Sequence, residues 1–248
     1  MTISIRGLFE KTAFDSKRWT LDLFNECKNN PLTICFLNAH AVTTASRKPE
    51  FAEILDQSDF LLRDGIGVKI GMNFFGLEKT ENLNGTDLIT ILLDHLRDRN
   101  IAIFGASDET MAVTKKKLEE NGFGNIQTTL HGFYEDDHYL KTVTETQPDV
   151  ILLCMGMPRQ ELLAQKLREN GYRGMILCGG GWADFYSGVK PRAPQFMRNF
   201  GMEWLYRLIR EPMRLGKRYT IDILDFFRIV LMERMKGTAP DENQRSDI

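Results

Sequence analysis

Four short apolar runs punctuate the chain: "LTICFLN" (32–38), "IAIFGA" (101–106), "VILLCMG" (150–156) and "MILCGG" (175–180). Each is long enough for a strand and too short for a buried helix. None alternates with polar residues, so each reads as a strand covered on both faces. "DFLLRD" (59–64) and "IQTTLHG" (126–132) read as two more strands. Between them, apolar positions recur with a helical period in "GTDLITILLDHLRDR" (85–99), "SDETMAVTKKKLEENG" (107–122) and "RQELLAQKLRENG" (159–171). Ser107 is placed to cap the second of these at its start and Gly122 to end it. Strands alternating with helices predict an α/β fold: a mostly parallel, Rossmann-like sheet with helices on both faces.

From about Ala193 the strand signals stop and only helical ones remain. This predicts a C-terminal helical appendage on an α/β core, divided at Pro212, because the residue before a proline is pushed out of helical geometry. The expected division is a core over 1–194, an appendage over 195–236 and a disordered tail over 237–248.

Charge alters this picture in one place only. The 248 residues carry 32 Lys+Arg against 34 Asp+Glu, a net charge of -2, which argues against a nucleic-acid binder coated in positive charge. The appendage nevertheless opens with "MEWLYRLIREPMRLGKRY" (202–219), mixing large aromatics with Arg207, Arg210, Arg214, Lys217 and Arg218. On one ideal helix these cations fall in an arc of roughly 100°. Beside them, Trp204, Leu205, Tyr206, Leu208 and Ile209, then Leu224, Phe226, Phe227, Ile229 and Val230, offer apolar surface. Basic and aromatic residues together suit docking on an anionic lipid surface; packing of the apolar face on the core is the competing reading.

Cys27, Cys35, Cys154 and Cys178 have no C-x-x-C spacing, and three lie inside apolar runs, where cysteine acts as a small hydrophobe. The N-terminal stretch lacks a secretory core, and the longest apolar run, "ILDFFRIVLM", is broken by Arg228. The expectation is a cytoplasmic, reduced protein. His40, His95, His131 and His138 share no ligand spacing; His95 reads as structural, and His40, just past a strand end, as the one near a site. "EDD" at 135–137 reads as capping of a helix start rather than a metal site.

Ligands of open α/β sheets bind beyond the carboxyl ends of the strands. Here those ends carry Asp64 and Gly65, Gly105 to Ser107, "GMPRQE", and "GGGWADF". Glycines there let a ligand approach backbone N–H groups, and helix N-termini favour phosphate. Taken singly, Gly179–Gly181 and Asp64–Gly65 read more readily as turns than as parts of a site. "GAS" does not match G-x-G-x-x-G, and neither a nucleophile elbow nor a Walker lysine is present.

Taken together and in order, "NAHAV" (38–42), "DGIGV" (64–68), "NGTDL" (84–88), "GASDE" (105–109), "HGFY" (131–134), "MGMPRQE" (155–161), "GGGWADFYSGVKPRAP" (179–194) and "GMEWLYRLIREPMR" (201–214) resemble the WecG/TagA/CpsF glycosyltransferase family, over about residues 5–230. The resemblance implies an inverting transferase that moves a sugar from a UDP-sugar onto a polyprenyl-diphosphate-linked saccharide, for bacterial cell-surface polysaccharide, peripheral on the inner face of the plasma membrane. It implies neither a metal nor a cofactor. By matching position, Asp64 takes the role of general base and Gln160 that of an active-site amide, with Asn38 in the pocket. Gly65, Thr86, Gly105, Ser107, Gly156 and Arg159 fall on the motifs expected to bind substrate. So do Glu161, Gly180, Asp184 and Arg192, and in the appendage Arg207, Arg214 and Lys217. Two residues depart from the family pattern: Phe36 stands where a Thr is frequent, and Asn82 where an Arg precedes the "GTDL"-type motif. A non-catalytic nucleotide-binding module docked on a membrane complex is the alternative function. Oligomeric state is left open.

Overall fold

The computed structural model describes residues 3–78 and 80–237, without the side chains of residues 199, 214, 215 and 217–220. In chain order the elements are α1 (Ile5–Arg18), α2 (Leu21–Cys27), β1 (Leu32–Leu37), α3 (Ala39–Arg47), α4 (Pro49–Gln57), β2 (Phe60–Arg63), α5 (Ile66–Phe74) and α6 (Gly85–Asp94). They continue with β3 (Ile101–Gly105), α7 (Asp108–Glu120), β4 (Ile126–Leu130), α8 (Asp136–Thr146), β5 (Val150–Cys154), α9 (Arg159–Glu169), β6 (Met175–Cys178), α10 (Trp182–Ser187), α11 (Gln195–Asn199), α12 (Glu203–Arg210) and α13 (Pro212–Gly237).

The six strands form one sheet in the order β2-β1-β6-β5-β3-β4, every pair parallel. The predicted fold class is therefore the observed one. The four continuous apolar runs form strands that are buried along their whole length, as strands covered on both faces must be. The edge strand β4 is half-exposed beyond Ile126, which is why its sequence is the most polar. The other edge, β2, would leave its outward N–H groups unpaired. Two side chains of α1 satisfy them: Asp15 Oδ2 accepts from Leu61 N at 2.8 Å and Ser16 Oγ from Arg63 N at 2.9 Å. Burial raises the proton affinity of Asp15 despite that bond.

Two apolar layers sandwich the sheet. One joins Phe9, Val42, Phe51 and Phe104 with Phe226, Ile229 and Val230 of α13; the other joins Phe24, Phe36, Leu92 and Trp182. Both cap signals predicted for α7 are present: Ser107 accepts from Thr110 N, and Gly122 takes up a left-handed φ of 85° just past the helix. The cysteines are free thiols, three of them buried, and desolvation pushes Cys154 up to about 12.

Over its described residues the appendage holds three helices, α11, α12 and α13; the chain turns at Phe200–Gly201 and breaks again at Glu211 (φ -129°, ψ 57°), immediately before Pro212. That break corrects the single-helix arc of cations. Arg207 and Arg210 belong to α12, while Arg214, Lys217 and Arg218 begin α13 and their side chains lie outside the described residues. The apolar positions also divide. Phe226, Ile229 and Val230 pack in the core, whereas Ile209, Leu224 and Phe227 stay exposed. Residues 238–248 of the expected tail lie outside the described residues. Among the described residues no helix is long and apolar enough to cross a membrane.

Candidate active site at the carboxyl edge of the sheet

Parallel pairing sends every strand end to the same edge, so the loops after β2, β1, β6, β5 and β3 stand in a row spaced about 4.8 Å apart. Asp64 begins that row. Its N–H donates to Leu37 O at 3.0 Å, continuing the β1–β2 ladder one residue past the strand. Gly65 then turns away with a φ of 89°. The turn is fastened by Asn82, whose Oδ1 accepts from Gly65 N at 2.7 Å, and by Arg63, whose Nε donates to Glu81 O at 2.9 Å. Asn82, a departure from the family pattern, thus holds the loop that carries the carboxylate. Phe36, the other departure, is buried with its ring against Gly85 at the start of α6.

Asn38 ends β1 and caps α3: its Oδ1 accepts from Ala41 N at 3.0 Å, which leaves its amide N–H to bond the Asp64 carboxyl. Asp64 lies deep among protein atoms yet keeps a partial opening to solvent. Its proton affinity is raised to about 6 from 3.8, chiefly by desolvation and next by the charge of Glu203; Arg207, Asn38 and Arg63 pull it down. The carboxyl is therefore mostly ionised at neutral pH while a far better base than an exposed aspartate. His40, two residues past Asn38, pairs with Asp222 of α13 at 3.0 Å. His95 bonds the Ile91 carbonyl at the end of α6, a structural role.

Farther along the row, Gly180 after β6 and Gly156 after β5 both have left-handed φ, and a Cβ on either would meet nothing within 4 Å. Open space before a left-handed glycine is what close approach of a ligand to backbone requires. One buried side chain holds both loops: Gln160 Oε1 accepts from Gly180 N at 2.9 Å and Gly156 N at 3.2 Å. Its amide N–H donates to Glu161 Oε1 at 2.7 Å. Glu161 is wholly buried, its Oε2 has no hydrogen-bond partner, and burial lifts it to about 7. In this arrangement Gln160 and Glu161 build the cradle from beneath and do not point into it.

Gly105 is a packing glycine: a Cβ there would lie 2.3 Å from the Cys154 carbonyl. Ser107 spends its hydroxyl on capping α7, Thr86 N–H is held by Asn84, and Arg159 donates to the Tyr134 carbonyl of the "HGFY" loop. Asp184 pairs with Lys190 at 2.5 Å. Arg192 grips Asp87, and Arg192 and Arg207 both lie over the Phe185 ring, 5.6 and 5.2 Å from its centre. The appendage thereby brings a guanidinium beside Asp64. Asp87, Phe185 and Glu203 were not singled out from the sequence. All three stand within or beside the quoted motifs, and that was their only signal. Asp136 and Asp137 open α8 as predicted, and among the described residues no three His, Cys, Asp or Glu side chains are grouped as a metal would need. A cavity of about 430 Å³ lies at the opposite, amino edge, lined by Asn29, Arg99, Gln147 and Tyr172, and shares no residue with this site.

The sequence profile of the glycosyl transferase WecG/TagA/CpsF family matches residues 12–240. The chain belongs to that family. Among its relatives is an N-acetylglucosaminyldiphosphoundecaprenol N-acetyl-beta-D-mannosaminyltransferase of Bacillus spizizenii, 29% identical over 209 residues, which are 81% of this chain and 81% of the relative. A Staphylococcus aureus protein of the same name is 27% identical over 205 residues, 80% of each. Membership makes this WecG/TagA/CpsF chain a glycosyltransferase, and it places the glycine-lined row described above in a sugar-transferring enzyme.

Proposed function

We propose that this family member transfers a sugar from a UDP-sugar to a polyprenyl-diphosphate-linked saccharide with inversion, using Asp64 as the general base. The observation that carries the reading is Asp64 itself: a carboxyl at the lip of the sheet, raised to about 6, partly open to solvent, and facing a guanidinium from the appendage. In the reaction Asp64 takes the proton from the acceptor hydroxyl as its oxygen attacks the anomeric carbon, while the bond to the UDP oxygen breaks on the opposite face. Asn38 orients the carboxylate. Gly156 and Gly180, their N–H groups held by Gln160, offer room for the diphosphate to approach the backbone. Arg207, joined by Arg214 and Lys217, balances the charge on the departing UDP, a task planar guanidinium groups perform well.

The names of the two relatives support N-acetylmannosamine as the first donor sugar to assay and N-acetylglucosaminyl-diphosphoundecaprenol as the first acceptor. The exposed Phe200, Ile209, Met213 and Leu224, with Arg210 among them, support docking of the appendage on an anionic lipid surface, where the acceptor resides. The deciding experiment is transfer of labelled sugar by the purified protein, in the presence and absence of a chelator. Turnover that survives the chelator and disappears in Asp64→Asn is expected. UDP binding without transfer to any lipid-linked acceptor would instead favour a nucleotide-binding module.

A further inference from the structure

The first turn of α9 buries two adjacent polar side chains at the carboxyl edge: Gln160 is 1% exposed and Glu161 0%. Gln160 Oε1 accepts from Gly156 N at 3.2 Å and from Gly180 N at 2.9 Å, and its Nε2 donates to Glu161 Oε1 at 2.7 Å. The two glycines follow β5 and β6, which are neighbours in the sheet. Both have left-handed φ, and a Cβ on either would meet nothing within 4 Å. A single oxygen therefore ties together the two loops that stand open to a ligand.

A carboxamide accepts through its oxygen and only donates through its nitrogen. Turned the other way, Gln160 would set its NH2 group against two backbone N–H groups, and both loops would lose their acceptor. An unprotonated Glu161 Oε1 accepts from nitrogen and repels oxygen, so it decides which way the amide points. It can do so in either carboxyl state: burial lifts Glu161 to about 7, and a proton taken up near that pH has the unpartnered Oε2 to occupy. Resting on the diphosphate's proposed place at Gly156 and Gly180, we propose that Glu161 is a positioning residue for sugar transfer. It aims the Gln160 oxygen at both loops and so holds their spacing for the diphosphate. The competing role, an acid that complements the dipole at the start of α9, needs the charge but not the reach.

Two variants of the full chain separate charge from reach. Glu161→Gln keeps an acceptor oxygen at the same reach without the charge; Glu161→Asp keeps the charge but draws the carboxyl back by a methylene. Amide hydrogen exchange, followed by NMR without ligand, reads the loops directly. Gly156 and Gly180 should exchange about three- to tenfold faster in Glu161→Asp, as the loss of a hydrogen bond implies, and at the parent rate in Glu161→Gln. UDP affinity should fall by the same factor in Glu161→Asp and hold in Glu161→Gln. Gln160→Ala/Glu161→Asp should bind UDP no more weakly than Gln160→Ala, because a residue acting through Gln160 then has nothing left to act on. With turnover, Glu161→Asp should raise KM for the UDP-sugar and leave kcat unchanged. Parent-like exchange in Glu161→Asp, equal losses in Glu161→Gln and Glu161→Asp, or losses that multiply in the double variant would overturn the proposal. Faster exchange with unchanged UDP affinity would show Glu161 orienting Gln160 and would instead remove the diphosphate from these loops.

Discussion

The two edges of the sheet treat their arginines in opposite ways. At the amino edge Arg168 donates to Thr33 Oγ1 at 3.0 Å and to the carbonyls of Tyr172, Gly174 and Leu32 at 3.0, 2.8 and 2.7 Å. Around it Asp59 accepts from Thr33 N and Asp149 from Asn100 N. At the carboxyl edge the Nε atoms of Arg159, Arg192 and Arg198 are buried without a hydrogen bond, as is Oε2 of Glu161. Arg99, near the amino edge, is the exception, with its own Nε unpartnered. Satisfied donors hold strands together; buried donors left short of a partner are groups that the fold by itself does not satisfy. The same residue type is thus fully paired at one edge and short of partners at the other.

The largest test of that contrast is Asp64→Asn. General-base removal should lower kcat by about 1,000-fold with the fold intact. Stability should change in the opposite sense. A carboxyl with a folded-state affinity raised from 3.8 to about 6 costs nothing below both values and costs most when ionised in the folded protein. The variant should therefore be more stable than the parent by about 1–3 kcal/mol at pH 8, with the gain vanishing near pH 4. Equilibrium denaturation at the two pH values measures it. A loss of stability at pH 8 would mean that the carboxylate is structural.

Arg168→Ala should show the reverse pattern. Four charge-assisted contacts at half-buried positions disappear and three carbonyls in two chain segments lose a donor, at a cost of about 3 kcal/mol. For a chain of this size that lowers Tm by roughly 6–12 °C. The kcat of the folded fraction should be unchanged. A fall in kcat beyond the loss of folded protein would show that the two edges are coupled through β1 and β6.

The amino-acid pattern revealed the edges unequally. Fully buried strands are legible because burial on both faces demands unbroken apolar runs. Their predicted ends overshoot by one or two residues because the apolar and small residues that follow, such as Ala106 and Met155, continue the run after the ladder has ended. α5 went unread since Gly67 and Gly71 weaken its helical signal; both are small because Ala39 and the Phe9 ring occupy the space a Cβ would need. α1 went unread as the cover of β2, because pairing of Asp15 and Ser16 with strand N–H groups is a tertiary event. In the site, Asp64 and Asn38 were legible through the resemblance of the ordered motifs that carry them; singly, Asp64 before Gly65 reads as a turn residue. Glu203 was not, since an acid among arginines, like Glu211 nearby, looks like charge balance until the fold sets it against Arg192.

Gln160→Ala is the next test in size. It should weaken the glycine cradle without touching the base. Removing the amide leaves Gly156 N, Gly180 N and Glu161 short of a partner, and UDP affinity should fall about tenfold, equivalent to about 1.4 kcal/mol. The acid limb of kcat/KM should stay near pH 6, because Asp64 keeps its neighbours. Thermal stabilisation by UDP gives the affinity and the pH profile the base. Unchanged UDP affinity would show that the loops hold their shape without the clamp.

Asn82→Ala should have the smallest effect. Asn82 contributes one hydrogen bond, to Gly65 N, at an exposed position, where water can take its place. That limits the stability change to about 0.5–1.5 kcal/mol. The loop it fastens carries Asp64, however, and a small displacement of a base from its acceptor slows proton transfer more than it weakens binding. The expected result is a drop of about three- to tenfold in kcat with an unchanged KM for donor. Asn82→Arg, restoring the family pattern, should recover kcat only if the longer side chain still reaches the turn. Should KM for the UDP-sugar fall instead while kcat stays low, position 82 belongs with the phosphate-binding cations and not with the loop that aims Asp64.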